Sequence, residues 1–287
     1  MNRQQTVKQL ELLAAKSRQN VLRMMEASKH GHMGGAMSSM DMVTALYFYH
    51  MKNDPANPKW EERDRFLLSA GHKAMVQYAV LAERGYFDKN ILDTYGALKT
   101  PLPGHPDMHK LPGIEANTGA LGHGLSIAAG MALAFKAQGK PNRVYTIMGD
   151  GELAEGSNWE AAAVAAHHKL DNLCAIVDYN GLQISGRVED VMNFTPIAER
   201  FASFGWAVTD IDGNDMNQIV DTLDRLPFEE GKPSLIVMHT VKSKGLSFAE
   251  GKAAYHYWTP DEEELRKGRA EVDATVEKLE AEWREMA

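Results

Sequence analysis

Residues 143–180 read RVYTIMGDGELAEGSNWEAAAVAAHHKLDNLCAIVDYN. Two apolar runs, VYTIM and LCAIV, flank an alanine-rich segment. An apolar run without alternation, bounded by small and polar residues, is the pattern of a strand buried on both faces. The segment between them is long enough for a crossover helix, so the stretch predicts a strand–helix–strand unit of a parallel sheet. The alternation continues downstream. IAERFASF predicts a helix, WAVTDIDG a strand, MNQIVDTLDRL a helix and PSLIVMHTV a strand. Upstream, DRFLLSAGH predicts a strand that ends in a loop, residues 73–84 a helix, and ALGHGLSIAAGMALAFKAQ a helix rich in small residues. The fold class expected is therefore α/β, a parallel sheet with helices on both faces.

The flanks complete the outline. Residues 5–28 carry Leu10, Leu13, Val21, Leu22 and Met25 near helical spacing. KHGHMGGAMSS (29–39) reads as a glycine-rich loop, after which Asp41 opens an apolar helix. Residues 99–118 hold four of the eleven prolines and predict an irregular loop running toward a site. A charged helix follows Asp261. The division expected is one domain over 1–265 and a C-terminal helical arm or linker remnant over 266–287.

Composition narrows the class. The 287 residues are 44% hydrophobic and 24% charged, with a formal net charge of -8. Such a chain is globular, and its acidity argues against nucleic acid or an anionic membrane as partner. No 18-residue apolar run is present, and the N-terminus lacks the apolar core of a signal peptide. Cys174 is the single cysteine, so no disulfide framework can form within the chain. A cytoplasmic protein is expected.

Ligands of open parallel sheets bind beyond the carboxyl ends of the strands. Asp150 ends one predicted strand and Asn180 the next. Their side-chain oxygens and the backbone carbonyl of Leu182 are hard donors suited to Mg²⁺. Gly151 would let the backbone approach an anion, and Ser157 to Glu160 has the form of a helix capping box. A helix start favours phosphate, so the local chemistry points to a metal-bridged diphosphate. Taken singly, GDG and Asn180-Gly181 read as readily as turns. His30, His32, His72, His105 and His123 sit in glycine- or proline-rich loops. None has zinc-site spacing, and proton transfer or hydrogen bonding to a polyol suits them better. His167 and His168 read as packing or surface residues.

In this order, SKHGHMGG, DRFLLSAGH, PGHP, TGALGHG, GDGELAEG with DYNGLQISG, and VKSKGLSFAEGKAAYHYW resemble transketolase, over its thiamin-diphosphate-binding N-terminal half. The resemblance runs from about residue 15 to about residue 265. It implies the thiamin-diphosphate-binding fold. Asp150, Asn180 and the Leu182 carbonyl would hold Mg²⁺ or Ca²⁺ on the diphosphate. His72, Gly151, Lys244 and His256 would contact the diphosphate. Gly119 and Leu121 would reach the aminopyrimidine, and Glu155 would lie at a subunit interface, coupling paired sites. His32, His105 and His256 would line the donor's hydroxyls and assist proton transfer. The sequence departs from the family at Tyr179, Met33, His123 and Tyr257.

The resemblance further implies a partner. The family's pyrimidine-binding domain is not in this sequence, so the expected protein is the N-terminal subunit of a split transketolase, an α2β2 assembly with a C-terminal subunit. It would transfer a two-carbon ketol unit from a ketose to an aldose, in pentose phosphate or related carbohydrate metabolism. Donors would include xylulose 5-phosphate, apulose 4-phosphate or a sulfonated fructose. Three other readings stay open: the α subunit of a 2-oxo acid dehydrogenase, a relative that makes deoxyxylulose phosphate, and a non-catalytic regulatory subunit.

Overall fold

The computed structural model describes residues 1–286. Five parallel strands form one sheet: β1 (Arg65–Leu68), β2 (Val144–Gly149), β3 (Leu173–Tyr179), β4 (Ala207–Asp212) and β5 (Ser234–His239). Their spatial order is β1-β2-β3-β5-β4. Register aligns Ile147 with Ile176, and Ile176 with Ile236, through the centre of the sheet.

Ten α-helices surround the sheet among the described residues. They are α1 (Arg3–Ser28), α2 (Met33–Ser38), α3 (Met40–Ala45), α4 (Ala74–Arg84), α5 (His123–Ala137), α6 (Gly156–His167), α7 (Val188–Val191), α8 (Ile197–Ser203), α9 (Met216–Asp224) and α10 (Glu262–Met286). Strand order explains which face each crossover helix covers. The steps β2 to β3 and β3 to β4 run one way across the sheet, and β4 to β5 runs back. Right-handed crossovers then put α6 and α8 on one face and α9 on the other. The two cores follow that division. Ala162, Phe201 and Leu125 pack with Val177 on one side. Ile219, Leu22 and Met25 pack with Ile176 on the other.

The N-terminal helix begins with a capping box, in which Asn2 accepts from the Gln5 backbone and the Gln5 side chain accepts from the Asn2 backbone. It packs along α10, whose Leu265, Gly268, Val272 and Val276 form a buried stripe. Lys8 with Glu282 and Lys16 with Glu280 bridge the two helices at 2.8 Å each. The expected boundary after residue 265 falls inside this one helix. No helix of the described residues is long and apolar enough to cross a membrane.

The glycine-rich loop expected over 29–39 is instead largely helical, as α2. Gly34 and Gly35 serve close packing there, not a turn. A Cβ on Gly34 would come within 2.7 Å of the Tyr255 carbonyl, and one on Gly35 within 2.8 Å of Lys73 Cε. The 99–118 segment holds no helix or strand, as expected.

Candidate functional site

A cavity of about 450 Å³ opens beyond the carboxyl ends of the strands. β2 delivers Asp150 to it, β3 delivers Asn180 and Leu182, and the segment after β5 delivers Lys242 and His256. The loop after β1 adds His72 and Lys73, the segment before α2 adds His32, and the irregular loop adds His105, Gly119 and Leu121.

The oxygen donors lie in adjoining loops. Asp150 Oδ1 accepts from the Gly151 N–H, and Oδ2 accepts from the Gly181 N–H, each at 2.8 Å. Asn180 Oδ1 accepts from the Leu182 N–H at 3.2 Å. The Leu182 carbonyl accepts from Lys242 Nζ at 3.0 Å. Burial and then the charge of Asp178 push the Asp150 carboxyl up to about 6. One carboxylate, one amide oxygen and one backbone carbonyl make a hard donor set that fits Mg²⁺ or Ca²⁺. No cluster of three His, Cys, Asp or Glu side chains suited to a metal occurs among the described residues.

The cavity's histidines form a packed group in which His72 and His256 stack. The His32 ring lies 5.2 Å from His72 and 5.5 Å from His256, and His72 lies 5.3 Å from His256. His105 stands 6.4 Å from His32. Burial, then neighbouring cations and imidazoles, holds His72 down to about 2 and His256 down to about 3. Burial, then His105 and Lys242, lowers His32 as well. His32, His72 and His256 are therefore neutral imidazoles at neutral pH. Lys242 Nζ meets His256 Nδ1 at 3.1 Å. An ammonium can only donate, so Nδ1 accepts and Nε2 carries the ring proton.

Beneath the cavity lies a buried ion pair. Lys73 Nζ sits 2.6 Å from Asp178 Oδ2. Asp178 also accepts from Ser38 at 2.6 Å, from Ser39 at 2.8 Å and from Thr240. Burial opposes its charge, but Lys73 and these donors hold its carboxyl below the usual range. Lys242, only 2% exposed, is the second buried cation, and burial lowers its ammonium to about 8. Lys73 is committed to Asp178, which leaves Lys242 as the ammonium that can favour an anionic ligand.

All the expected site positions line this cavity except Glu155 and Lys244. Glu155 is exposed on the turn before α6. Lys244 lies in a separate groove with Arg18 and Asp41, 3.7 Å from Glu250. The reason is local: Ser243 has φ 63, which turns the chain so that Lys242 points in and Lys244 points out. The capping box expected at Ser157 is absent. Glu155 is the N-cap residue, Ser157 is already helical, and its hydroxyl donates to the Gly122 carbonyl at 2.9 Å. His123 is exposed at the start of α5, outside the cavity.

Sequence reasoning missed Lys73, Lys242, Glu152 and Asp178. Asp178 had a signal, being a lone carboxylate inside an apolar strand. Lys73 adjoins His72, and Lys242 lies two residues from the lysine expected.

An all-parallel sheet with a histidine-lined cavity at its strand ends, where the Lys242 ammonium stands beside oxygen donors, is the architecture of an α/β protein that binds a small ligand there. Comparison with known proteins narrows this. The transketolase thiamine diphosphate binding domain matches residues 9–279. An apulose-4-phosphate transketolase subunit from Phocaeicola vulgatus is 42% identical over 96% of this chain and 98% of its own length. The 6-deoxy-6-sulfo-D-fructose transketolase subunit SqwG of a Clostridium species is 45% identical over 85% of this chain and 88% of its own. The crystal structure of transketolase from Campylobacter jejuni superposes with a TM-score of 0.86 at 31% identity, over 99% of this chain but 48% of that one. This chain belongs to the transketolase family, by its thiamine diphosphate binding domain.

Proposed function

We propose that this chain is the cofactor-binding subunit of a two-chain transketolase, acting in the cytoplasm in an α2β2 assembly with a chain that carries the pyrimidine-binding domain. The observation that carries the reading is its match, end to end, to a relative that is itself one subunit of a transketolase. Single-chain transketolases align with it over less than half their length. The single cysteine, buried in β3, supports a reducing compartment.

Asp150, Asn180 and the Leu182 carbonyl would hold Mg²⁺ (or Ca²⁺) on the diphosphate of thiamin diphosphate. Lys242 would neutralise the diphosphate in the role first expected of Lys244, with His72 and the Gly151 N–H beside it. Gly119 and Leu121 would face the aminopyrimidine. Bound thiamin diphosphate supplies the nucleophilic carbon and the electron sink for carbon–carbon cleavage. The chain's own part is to hold the ketose donor and manage its protons. His256, with Nε2–H turned away from Lys242, donates to a donor hydroxyl. His32 and His105 can accept a hydroxyl proton and return it. Glu155 would meet a second subunit on the exposed side.

The relatives' names place a phosphate or a sulfonate on their ketoses, and we extend that class to this donor: a ketose with an anionic tail. The test is a ketol-transfer assay of the chain with and without its partner, across xylulose 5-phosphate, apulose 4-phosphate and sulfofructose. Transfer is expected only from the pair. Full transfer by this chain alone would overturn the two-chain reading.

A further inference from the structure

Glu152 is two residues beyond Asp150 and also lines the cavity. Its carboxylate is buried, 2% exposed, and gathers donors from three segments. Oε1 accepts from the Gly122 N–H at 2.8 Å and from the Ser69 hydroxyl. Oε2 accepts from the Gly149 N–H at 3.1 Å. Ser69, just past β1, in turn accepts from the Gly124 N–H at 3.2 Å. Ser157 donates to the carbonyl of Gly122 at 2.9 Å. Both polar groups of the Gly122 residue are thereby bonded to the segment 150–157. Gly122 has φ 81, and a Cβ there would come within 2.4 Å of Glu155 Cβ. The loop 119–124 is thus pressed and bonded onto the segment that carries Asp150.

We propose that Glu152 is a positioning residue that fixes the distance between the Asp150 loop and the cavity wall of Gly119 and Leu121. The proposal rests on the thiamin diphosphate reading of the cavity. One carboxylate then sets the span between the place that takes the diphosphate and the place that takes the ring. Three donors converging on two oxygens suit a carboxylate here. A carboxylate accepts from several donors at once, whereas an amide of the same shape offers one oxygen and turns its own N–H groups toward another donor. Asp150 does not depend on Glu152 alone, because its carboxylate is independently held by Gly151 and Gly181.

The test compares two ligands in the assembled two-chain enzyme. Mg²⁺ with inorganic pyrophosphate probes only the diphosphate end, and Mg²⁺ with thiamin diphosphate probes both ends. In Glu152→Gln, pyrophosphate should bind within about twofold of wild type, while thiamin diphosphate should weaken about 10- to 100-fold, the range for a residue that orients a direct ligand contact. Equal weakening of both ligands would show a merely structural role and overturn the proposal, as would no change in either. Should Glu152→Gln fail to fold, Ser69→Ala, which removes one end of the same link, decides by the same split. Wild-type enzyme that binds pyrophosphate but not thiamin diphosphate would overturn the reading of the cavity, and the proposal with it.

Discussion

Acidification should destabilise this fold through His72. Its half-buried imidazole packs against His32 and His256, and loss of solvent, then Lys73 and its neighbouring imidazoles, holds it down to about 2. In the unfolded chain the same group titrates at 6.5. The folded form declines a proton that the unfolded form accepts. Stability is therefore complete above pH 6.5 and is lost as the pH falls below it. Between pH 7.5 and pH 5.5 this single group should cost about 1.4 kcal/mol, the linkage value for one pH unit below the unfolded pKa. His50, held down to about 4 by burial and then by Arg143, adds a similar amount. The more exposed His256 adds less. The measurement is urea unfolding, followed by far-UV circular dichroism, of wild type and His72→Asn at both pH values. Asparagine keeps a polar side chain but does not titrate, so contributions from every other group cancel in the difference. Wild type should lose about 1.4 kcal/mol more than the variant. Equal losses in the two proteins would refute a neutral half-buried His72 and the crowding of cations inferred around it.

Asp150→Ala should weaken Mg²⁺-dependent binding of thiamin diphosphate by on the order of 100-fold, since it removes the only carboxylate of the donor set, and chelation of Mg²⁺ should mimic it; calorimetric affinity within twofold of wild type would contradict the assignment. Lys242→Met should abolish most ketol transfer by the two-chain enzyme while Lys244→Met leaves it near wild type, because the exposed Lys244–Glu250 pair contributes no more than about 1 kcal/mol to stability. Lys73→Met should destabilise the chain by about 3–5 kcal/mol by leaving Asp178 charged and unpaired, and adding Asp178→Asn should restore a large part of that. A double-mutant cycle in urea that shows additive losses would remove the buried pair from the account.

The fold was legible because its signal is periodic. β2, β3 and β5 are apolar runs, and burial on both faces leaves little else those runs could be. The misreading at 29–39 has a matching cause. Gly34-Gly35 looks like a turn in sequence, and only the Tyr255 carbonyl and the Lys73 side chain, both distant along the chain, reveal that glycine is needed for contact.

The cavity was legible where chemistry is carried by loop residues at strand ends, as with Asp150, Asn180 and the histidines. It was illegible where function depends on direction. Lys242 and Lys244 are the same residue type two positions apart, and the left-handed backbone at Ser243 between them sends them to different places. The buried charges were illegible for a second reason: a lone charge in sequence announces cost, not partner. Asp178 in an apolar strand requires compensation, but its compensators come from four separate segments: Ser38 and Ser39, Lys73, Thr240 and Asn180. Glu152 behaves the same way, gathering donors from after β1, before α5 and the end of β2. Periodicity places elements, but a carboxylate held by several segments belongs to none of them. Such residues are where the sheet's strand ends become a single rigid site, and only the tertiary arrangement displays them.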